Sequence, residues 1–484
     1  MKKQNKNSRR TFLKNATIAS TVFIVPRHVL GGIGYVAPSD MVNLAAVGIG
    51  GKGRSDLLNA ARPKNVQVVG LCDVDTKGVA VGEVMRSRKD FPKANFYADF
   101  RELLDKEKDI DAVTISTPDH THAPVAIYAM ERDKHVYVQK PLAHNVRETR
   151  LMTEMARERK LVTQMGNQGA SNPAQEVIQD WVDSSVIGAI KEVKVWTNRP
   201  VWPQGVPMPK TNANMKPEGL DWDLWLGPAK ETPYTPEMHP FNWRGWWQYG
   251  TGALGDMGCH LIDIPFRVLG LKYPRAVECS VGSVYRQMWT PEYLPEGCPP
   301  SSYVSLNFDG TKKNPYPIKM IWSDGGIRPE RPELIPADED MGHAGGYHGV
   351  VMIGEKGIIT CGDKAMYTKL YLPGMPVQTP KIKEVKDPEW GHQKKWIDAI
   401  VSGFGSATHR ALTSNFDYAG PLTESVLMGN IAIRSYLLRK KTFGGNMDYY
   451  ARKKLLWDGE SMKITNMDEA NQFVTRDYRS GWKL

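Results

Sequence analysis

The run Gly48-Ile49-Gly50-Gly51-Lys52-Gly53 constrains the fold of this chain more than any other stretch. An apolar run precedes it, residues 42–48 (VNLAAVG), of the kind that forms a strand buried on both faces of a parallel sheet. Residues 54–61 are compatible with a helix, and a second apolar run over residues 66–71 ends at Cys72-Asp73. Asp73 lies 20 residues after Gly53. Strand, G-x-G-x-x-G, helix, strand and acid, in that order, is an arrangement that binds a dinucleotide. The first glycine (Gly48) permits a tight turn, the second (Gly50) lets backbone approach a pyrophosphate, and the third (Gly53) lets helix pack on strand. Gly51 lies between them, and the helix N-terminus faces the negative phosphates. A carboxylate at Asp73 suits a ribose 2′-hydroxyl and repels a 2′-phosphate, so NAD is the expected cofactor. Lys77 softens that preference and keeps NADP as the alternative.

The alternation of strand and helix continues. Residues 99–107 read as helix, 112–116 as strand, 125–131 as helix, 135–138 as strand and 146–160 as helix. This predicts a doubly wound parallel sheet of the Rossmann kind over residues 38–163, with ligands at the carboxyl ends of its strands. Two strand ends stand out: the turn Thr117-Pro118-Asp119-His120-Thr121-His122, and Gln139-Lys140-Pro141. Asp119, His120 and His122 have the chemistry of metal ligands, but no further ligand stands near them in sequence. The turn therefore reads as part of the cofactor pocket, and no metal is expected.

After residue 163 the pattern changes. Gln164-Met165-Gly166-Asn167-Gln168-Gly169 opens a segment with strands near 190–196, 276–281, 303–308, 318–322 and 357–361, not separated by regular helices. That predicts a second, α+β domain with an open mixed sheet over residues 164–484. Helices near 393–401 and 421–439 are expected to pack on this sheet or back on the first domain. Eight of the fourteen tryptophans fall in residues 181–247, among amides, arginines and acids. Aromatic faces stack on the C–H faces of a sugar ring while polar groups bind its hydroxyls. Half or more of these tryptophans are expected to be core. Asn167, Arg199, Trp202 and Arg244 are the candidate substrate contacts. Gly342-His343-Ala344-Gly345-Gly346-Tyr347-His348-Gly349 reads equally as a lid and as a surface loop.

The net charge of +10 invites a nucleic-acid reading, but seven basic residues and no acid fall in residues 1–37. With those set aside the balance drops to +3, and no basic stripe remains. Five isolated cysteines, with no C-x-x-C pair, exclude a disulfide scaffold and a zinc knuckle. No apolar run reaches the length of a membrane span. The basic segment contains Ser8-Arg9-Arg10-Thr11-Phe12-Leu13-Lys14 and then a short apolar stretch, residues 16–25, ending at Pro26. It resembles a twin-arginine (Tat) signal, which implies export by the Tat machinery to the periplasm or beyond.

Four ordered motifs together resemble the Gfo/Idh/MocA oxidoreductases, the glucose–fructose oxidoreductase and inositol dehydrogenase group. They are the glycine fingerprint at 48–53, Thr117-Pro118-Asp119 with His122, Lys140-Pro141, and Asp256 with His260 in the run 252–263. The resemblance implies that Lys140, Asp256 and His260 form the catalytic set, that Asp256 and His260 also touch substrate, and that Gln139 and Lys140 border the cofactor. It also implies a homo-oligomer, dimer or tetramer. One position departs: Gln139 stands where the family usually has glutamate.

Oxidising a secondary alcohol needs a proton acceptor and a group that stabilises alkoxide. His260 suits the first role and Lys140 the second. Asp256, one helical turn before His260, is placed to fix the imidazole or bind a neighbouring hydroxyl. The expectation is an exported NAD(P)-dependent oxidoreductase acting on a ring hydroxyl of a sugar or glycoside, with C3 of a glucoside suggested by the family. Because free nicotinamide cofactor is scarce outside the cytoplasm, the cofactor is expected to be retained and recycled in the site. Two alternatives stay open: a glycosidase working by transient oxidation, elimination and reduction, and a non-catalytic sugar-binding protein.

Overall fold

Residues 40–442 and 447–484 are described by the computed structural model, so the twin-arginine motif and the leader at 1–37 lie outside the described residues. Six apolar segments, most too short for a stable helix, pair instead as strands: β1 (Val42–Val47), β2 (Val66–Cys72), β3 (Asn95–Tyr97), β4 (Ala112–Ile115), β5 (His135–Val138) and β6 (Thr163–Met165). Their order is β3-β2-β1-β4-β5-β6, and every pair is parallel. The order reverses between β1 and β4, where loops leaving neighbouring strand ends diverge and open a crevice.

Alternate residues of β1 explain why it reads as a continuous apolar run. Leu44 and Ala46 join one core with Leu57 and Ala60 of the helix Gly51–Ala60, while Ala45 and Val47 join the core on the other face. The first of these cores also takes Trp396 and Ile397 from the helix His392–Ser402, so this late helix packs back on the first sheet. Trp396 is fully buried and its Nε1 donates to the Val162 carbonyl at 3.1 Å.

The second sheet is mixed. It contains β7 (Ile190–Thr197) and β8 (Ala276–Val281); a small hairpin of β9 (Tyr285–Gln287) and β10 (Thr290–Pro291) stands apart from it. Then come β11 (Ser302–Phe308), β12 (Ile318–Ser323), β13 (His348–Gly354), β14 (Ile358–Cys361) and β15 (Lys369–Tyr371). A second separate hairpin, β16 (Arg439–Lys441) with β17 (Met447–Tyr449), precedes β18 (Leu455–Asp458) and β19 (Lys463–Ile464). The order is β15-β14-β13-β7-β12-β11-β8-β18-β19, with β7 and β12 the parallel pair among antiparallel neighbours.

The helix Phe416–Tyr436 packs against the helix Val146–Glu158 of the first sheet and against β8 and β11 of the second. Leu422, Val426 and Leu427 share one core with Val277, Val304 and Leu306. Pro421 suggests a helix start at that residue, because proline lacks an N–H that the first turn would leave unpaired anyway. The helix begins five residues earlier: the Asn415 side chain caps it by accepting from the Tyr418 N–H at 3.2 Å. The last two residues of the glycine-rich segment at 342–349 are already strand. His348 is the first residue of β13 and pairs with Thr197 in the middle of the sheet, and its Nδ1 lies 2.8 Å from the Thr197 hydroxyl.

Candidate active site

A cleft of about 620 Å³ opens at the carboxyl ends of β1, β2, β4 and β5. Its first wall is the glycine loop. Gly48 has φ +76°, and a Cβ there would meet the Ser116 carbonyl oxygen at 2.7 Å. At Gly53 a Cβ would stand 1.9 Å from the Gly48 carbonyl oxygen, so this glycine makes the helix–strand contact and does not line the cleft. Close approach to a ligand falls to Gly51 rather than Gly50. A Cβ on Gly50 would strike Val81 at 2.6 Å, whereas at Gly51, φ +48°, it would meet nothing within 4 Å. Gly51 is the first residue of the helix Gly51–Ala60, and it lines the cleft together with Lys52, so the positive end of this helix lies at the cleft.

Asp73 lines the cleft at the end of β2. Its Oδ2 accepts from the Ile49 N–H at 2.9 Å and its Oδ1 from the Asp75 N–H at 3.0 Å, so the carboxylate also braces the glycine loop. Burial pushes its pKa up to about 6, against the pull of those N–H donors. Thr117 and Pro118 line the cleft at the end of β4, and the Thr117 hydroxyl is buried without a protein partner. His122 lines it too, with Nδ1 and Nε2 each 2.8 Å from a carbonyl, those of Pro141 and Thr117. Burial holds this imidazole below its ordinary pKa, so as a neutral ring it donates to one carbonyl at a time. The open Gly51 backbone, the free Thr117 hydroxyl and a carboxylate at the β2 end fit a dinucleotide.

Two expected members lie elsewhere. His120 is fully buried between Trp225 and Tyr249, its Nε2 2.9 Å from the Trp225 carbonyl. Burial holds its pKa down to about 3, so it is a neutral core histidine. Asn167 is 1% exposed and does not reach the cleft; its neighbour Gln168 does.

The lysine loop and the helix Gly252–Leu261 form the opposite wall. Lys140 Nζ donates to Asp256 Oδ1 at 2.8 Å and to the Asp256 carbonyl at 2.9 Å. Asp256 thus holds the lysine rather than the imidazole one turn away. Arg244 Nε stands 3.5 Å and Arg199 Nε 4.0 Å from the same carboxylate. Burial alone would raise the pKa of Asp256, but Lys140 and Arg244 outweigh it and hold the group well below the usual carboxylate range. His260 shows the reverse balance. Burial first, then the Lys140 and Lys364 charges, hold it well below the usual imidazole value. Its Nδ1 is sealed in protein without a partner, which leaves Nε2 for the cleft.

Arg199, Trp202 and Arg244 all line the cleft. Arg244 lies over the rings of Trp243 and Phe241, 4.3 and 4.5 Å from their centroids, and Trp202 Nε1 donates to Gln204 at 2.9 Å. Of the eight clustered tryptophans, Trp202, Trp225 and Trp243 reach the cleft, while Trp222 stacks on Trp225 at 4.4 Å inside a separate core.

Asp363, Lys364 and Trp482, which no sequence motif marks, also line it. Lys364 sits at φ +56° in the short turn Asp363–Ala365, pressed so close to Gly169 that a Cβ there would meet Lys364 Cα at 2.7 Å. Among the described residues no group of His, Cys, Asp and Glu side chains could hold a metal ion, and no helix is long and apolar enough to cross a membrane.

Known proteins share these features. Residues 42–167 match the oxidoreductase family model GFO_IDH_MocA, NAD-binding Rossmann fold, and residues 176–285 match its C-terminal alpha/beta domain. The chain is 36% identical over 137 residues to glycosyl hydrolase family 109 protein 1 of Shewanella sp. (strain ANA-3), covering 27% of this chain and 29% of that protein. It is 26% identical over 199 residues to levoglucosan dehydrogenase of Pseudarthrobacter phenanthrenivorans, 41% of each. The chain thus spans less than half the length of these curated relatives. In fold it is similar to an inositol dehydrogenase homolog complexed with NAD+ from Azotobacter vinelandii. The TM-score is 0.55 at 16% identity, over 85% of this chain and 97% of that one. Over residues 42–167 and 176–285 the chain thus matches the two domain models of the Gfo/Idh/MocA oxidoreductases, the first of them an NAD-binding Rossmann fold that contains the glycine loop.

Proposed function

We propose that this protein is an exported dehydrogenase that oxidises a ring hydroxyl of a sugar or glycoside. The observation that carries this reading is the shared cleft: Lys140, fixed by Asp256, and a neutral His260 face the same space as the glycine loop. NAD bound along that loop supplies the hydride acceptor. Lys140 hydrogen-bonds the reacting oxygen through Nζ, and its charge stabilises the alkoxide as the proton leaves. His260 takes that proton at Nε2, which burial and the neighbouring cations keep unprotonated. Asp256 keeps Lys140 aimed through the two hydrogen bonds it accepts from Nζ. Arg199 and Arg244 bind the remaining hydroxyls, and Trp202 and Trp243 cover the apolar faces of the ring. C3 of a glucoside is the favoured position of attack.

The Ser8–Lys14 motif supports export. An exported enzyme meets little free cofactor, so the cleft would have to retain its dinucleotide, with a second carbonyl compound as the hydride acceptor that restores it. A second reading, a glycosidase without net redox change, is favoured by the likeness to glycosyl hydrolase family 109 over 137 residues. Incubation with a panel of glycosides separates them: accumulation of keto-sugar supports the dehydrogenase, and release of free sugar supports the glycosidase. Protein isolated from the periplasm free of nucleotide, and active only with exchanging NAD, would overturn cofactor retention.

A further inference from the structure

Behind the catalytic wall lies a second cavity of about 20 Å³, lined by His144, Asn145, Trp247, Thr251, Asn430 and Arg434 among others. This is space for about one small ion or water. The first five of these residues are 8%, 5%, 6%, 2% and 5% exposed. Several of their polar side-chain atoms have no protein partner, N–H donors on Asn145 and Trp247 among them. Asn145 Oδ1 accepts from the Glu148 N–H at 2.9 Å, which leaves its NH2 buried without a partner. Trp247 Nε1–H is likewise buried and unpaired. Neither ring nitrogen of His144 closes a well-formed hydrogen bond, although the Trp247 main chain lies nearby. Asn430 donates its NH2 to the Thr251 carbonyl at 2.9 Å, so its Oδ1 is the one unpaired side-chain amide acceptor here.

The charge is one-sided as well. Arg434 lies over the Phe473 ring at 4.3 Å, and no carboxylate forms an ion pair with it among the described residues. Burial holds its pKa down to about 10, and the nearby Cys298 thiol, itself pushed up by burial, supplies no balancing charge. A guanidinium left without a carboxylate partner beside the unpaired N–H groups of Asn145 and Trp247 is costly unless an anion satisfies them together.

We infer that this cavity binds one monatomic anion, chloride in ordinary buffers, held by Arg434, Trp247 Nε1 and Asn145 Nδ2, with His144 beside it. Arg434 is only partly buried, which gives the ion a route in. The bound anion fastens two pieces of the catalytic wall. His144 is four residues beyond Lys140, and Thr251 immediately precedes the helix that carries Asp256 and His260. The Thr251 hydroxyl also donates to Asp119 at 2.6 Å.

Crystals of the protein grown in bromide test this directly, without reference to activity. An anomalous peak in this cavity, in contact with Arg434 and the Trp247 indole, is the expected result; density there with no anomalous signal would identify a water and overturn the inference. A second measurement uses the full chain in solution. At constant ionic strength, replacing gluconate by chloride raises the melting temperature by about 2 °C. Asn430→Asp places a carboxylate beside Arg434, and its melting temperature no longer responds to chloride. Equal response of the wild type and N430D, or no chloride response in the wild type, contradicts the site.

Discussion

Gln139 Nε2 donates to Asp56 Oδ2 at 2.7 Å, and the same oxygen accepts from the Ser116 hydroxyl at 2.9 Å. Asp56 is fully buried in the first helix after the glycine loop, and Gln393 Nε2 reaches its other oxygen at 3.0 Å. A glutamate at position 139 would set a second carboxylate against this one. Here, then, the glutamine is the residue that fits beside Lys140, because it can donate where glutamate cannot.

The first prediction follows from that pair. Burial already raises the pKa of Asp56, although Lys52 opposes it. Gln139→Glu costs about 3 kcal/mol at neutral pH, read as a lower midpoint in urea unfolding. Carboxyls whose folded pKa is raised lose stability as pH rises through the carboxylate range. The deficit of Q139E therefore shrinks as the pH is lowered toward 4 and one carboxyl takes up a proton. An unchanged midpoint at neutral pH would contradict the account.

Two glycines of the same loop separate fold from cofactor binding. Gly53→Ala forces a Cβ to within 1.9 Å of the Gly48 carbonyl oxygen and prevents stable folding. Gly51→Ala meets no atom, so it costs about 1 kcal/mol of backbone strain while placing a methyl group where the dinucleotide approaches. G51A is expected to stay folded by circular dichroism and to bind NAD at least about 10-fold more weakly by titration.

The acid limb of the pH–rate profile reports on His260. Burial and the Lys140 and Lys364 charges lower its pKa, so Nε2 remains a base through neutral pH and fails only well below the ordinary imidazole range. In kcat/KM against pH, the activity stays flat across pH 6 to 8. Lys364→Met removes one of those charges and moves the acid limb upward, toward neutrality. A limb that does not move in K364M would show that this lysine does not face the imidazole.

Much of this was legible in the sequence, for identifiable reasons. The first sheet follows from apolar runs of strand length, because a strand such as β1 is buried on both faces. That Lys140, Asp256 and His260 would meet in one cleft was readable because each lies in a short motif. What was not readable depends on contacts distant in sequence. His120 looks like a cleft residue beside His122, but Trp225 and Tyr249, more than a hundred residues later, close around it. Lys364 enters the cleft from a left-handed turn that no periodicity announces. The cap at Asn415 was hidden by a proline that mimics a helix start.

The central claim is that Lys140 and His260 act on a sugar hydroxyl beside NAD. The measurement that tests it most directly is the nicotinamide absorbance of the NAD-loaded protein as a panel of glycosides is added, for the wild type and Lys140→Ala. The account predicts a reduction signal with at least one glycoside for the wild type. It predicts a loss of about 100-fold or more in rate for K140A, with NAD still bound. Full activity in K140A, or NAD bound and unchanged with every sugar in the wild type, would contradict it.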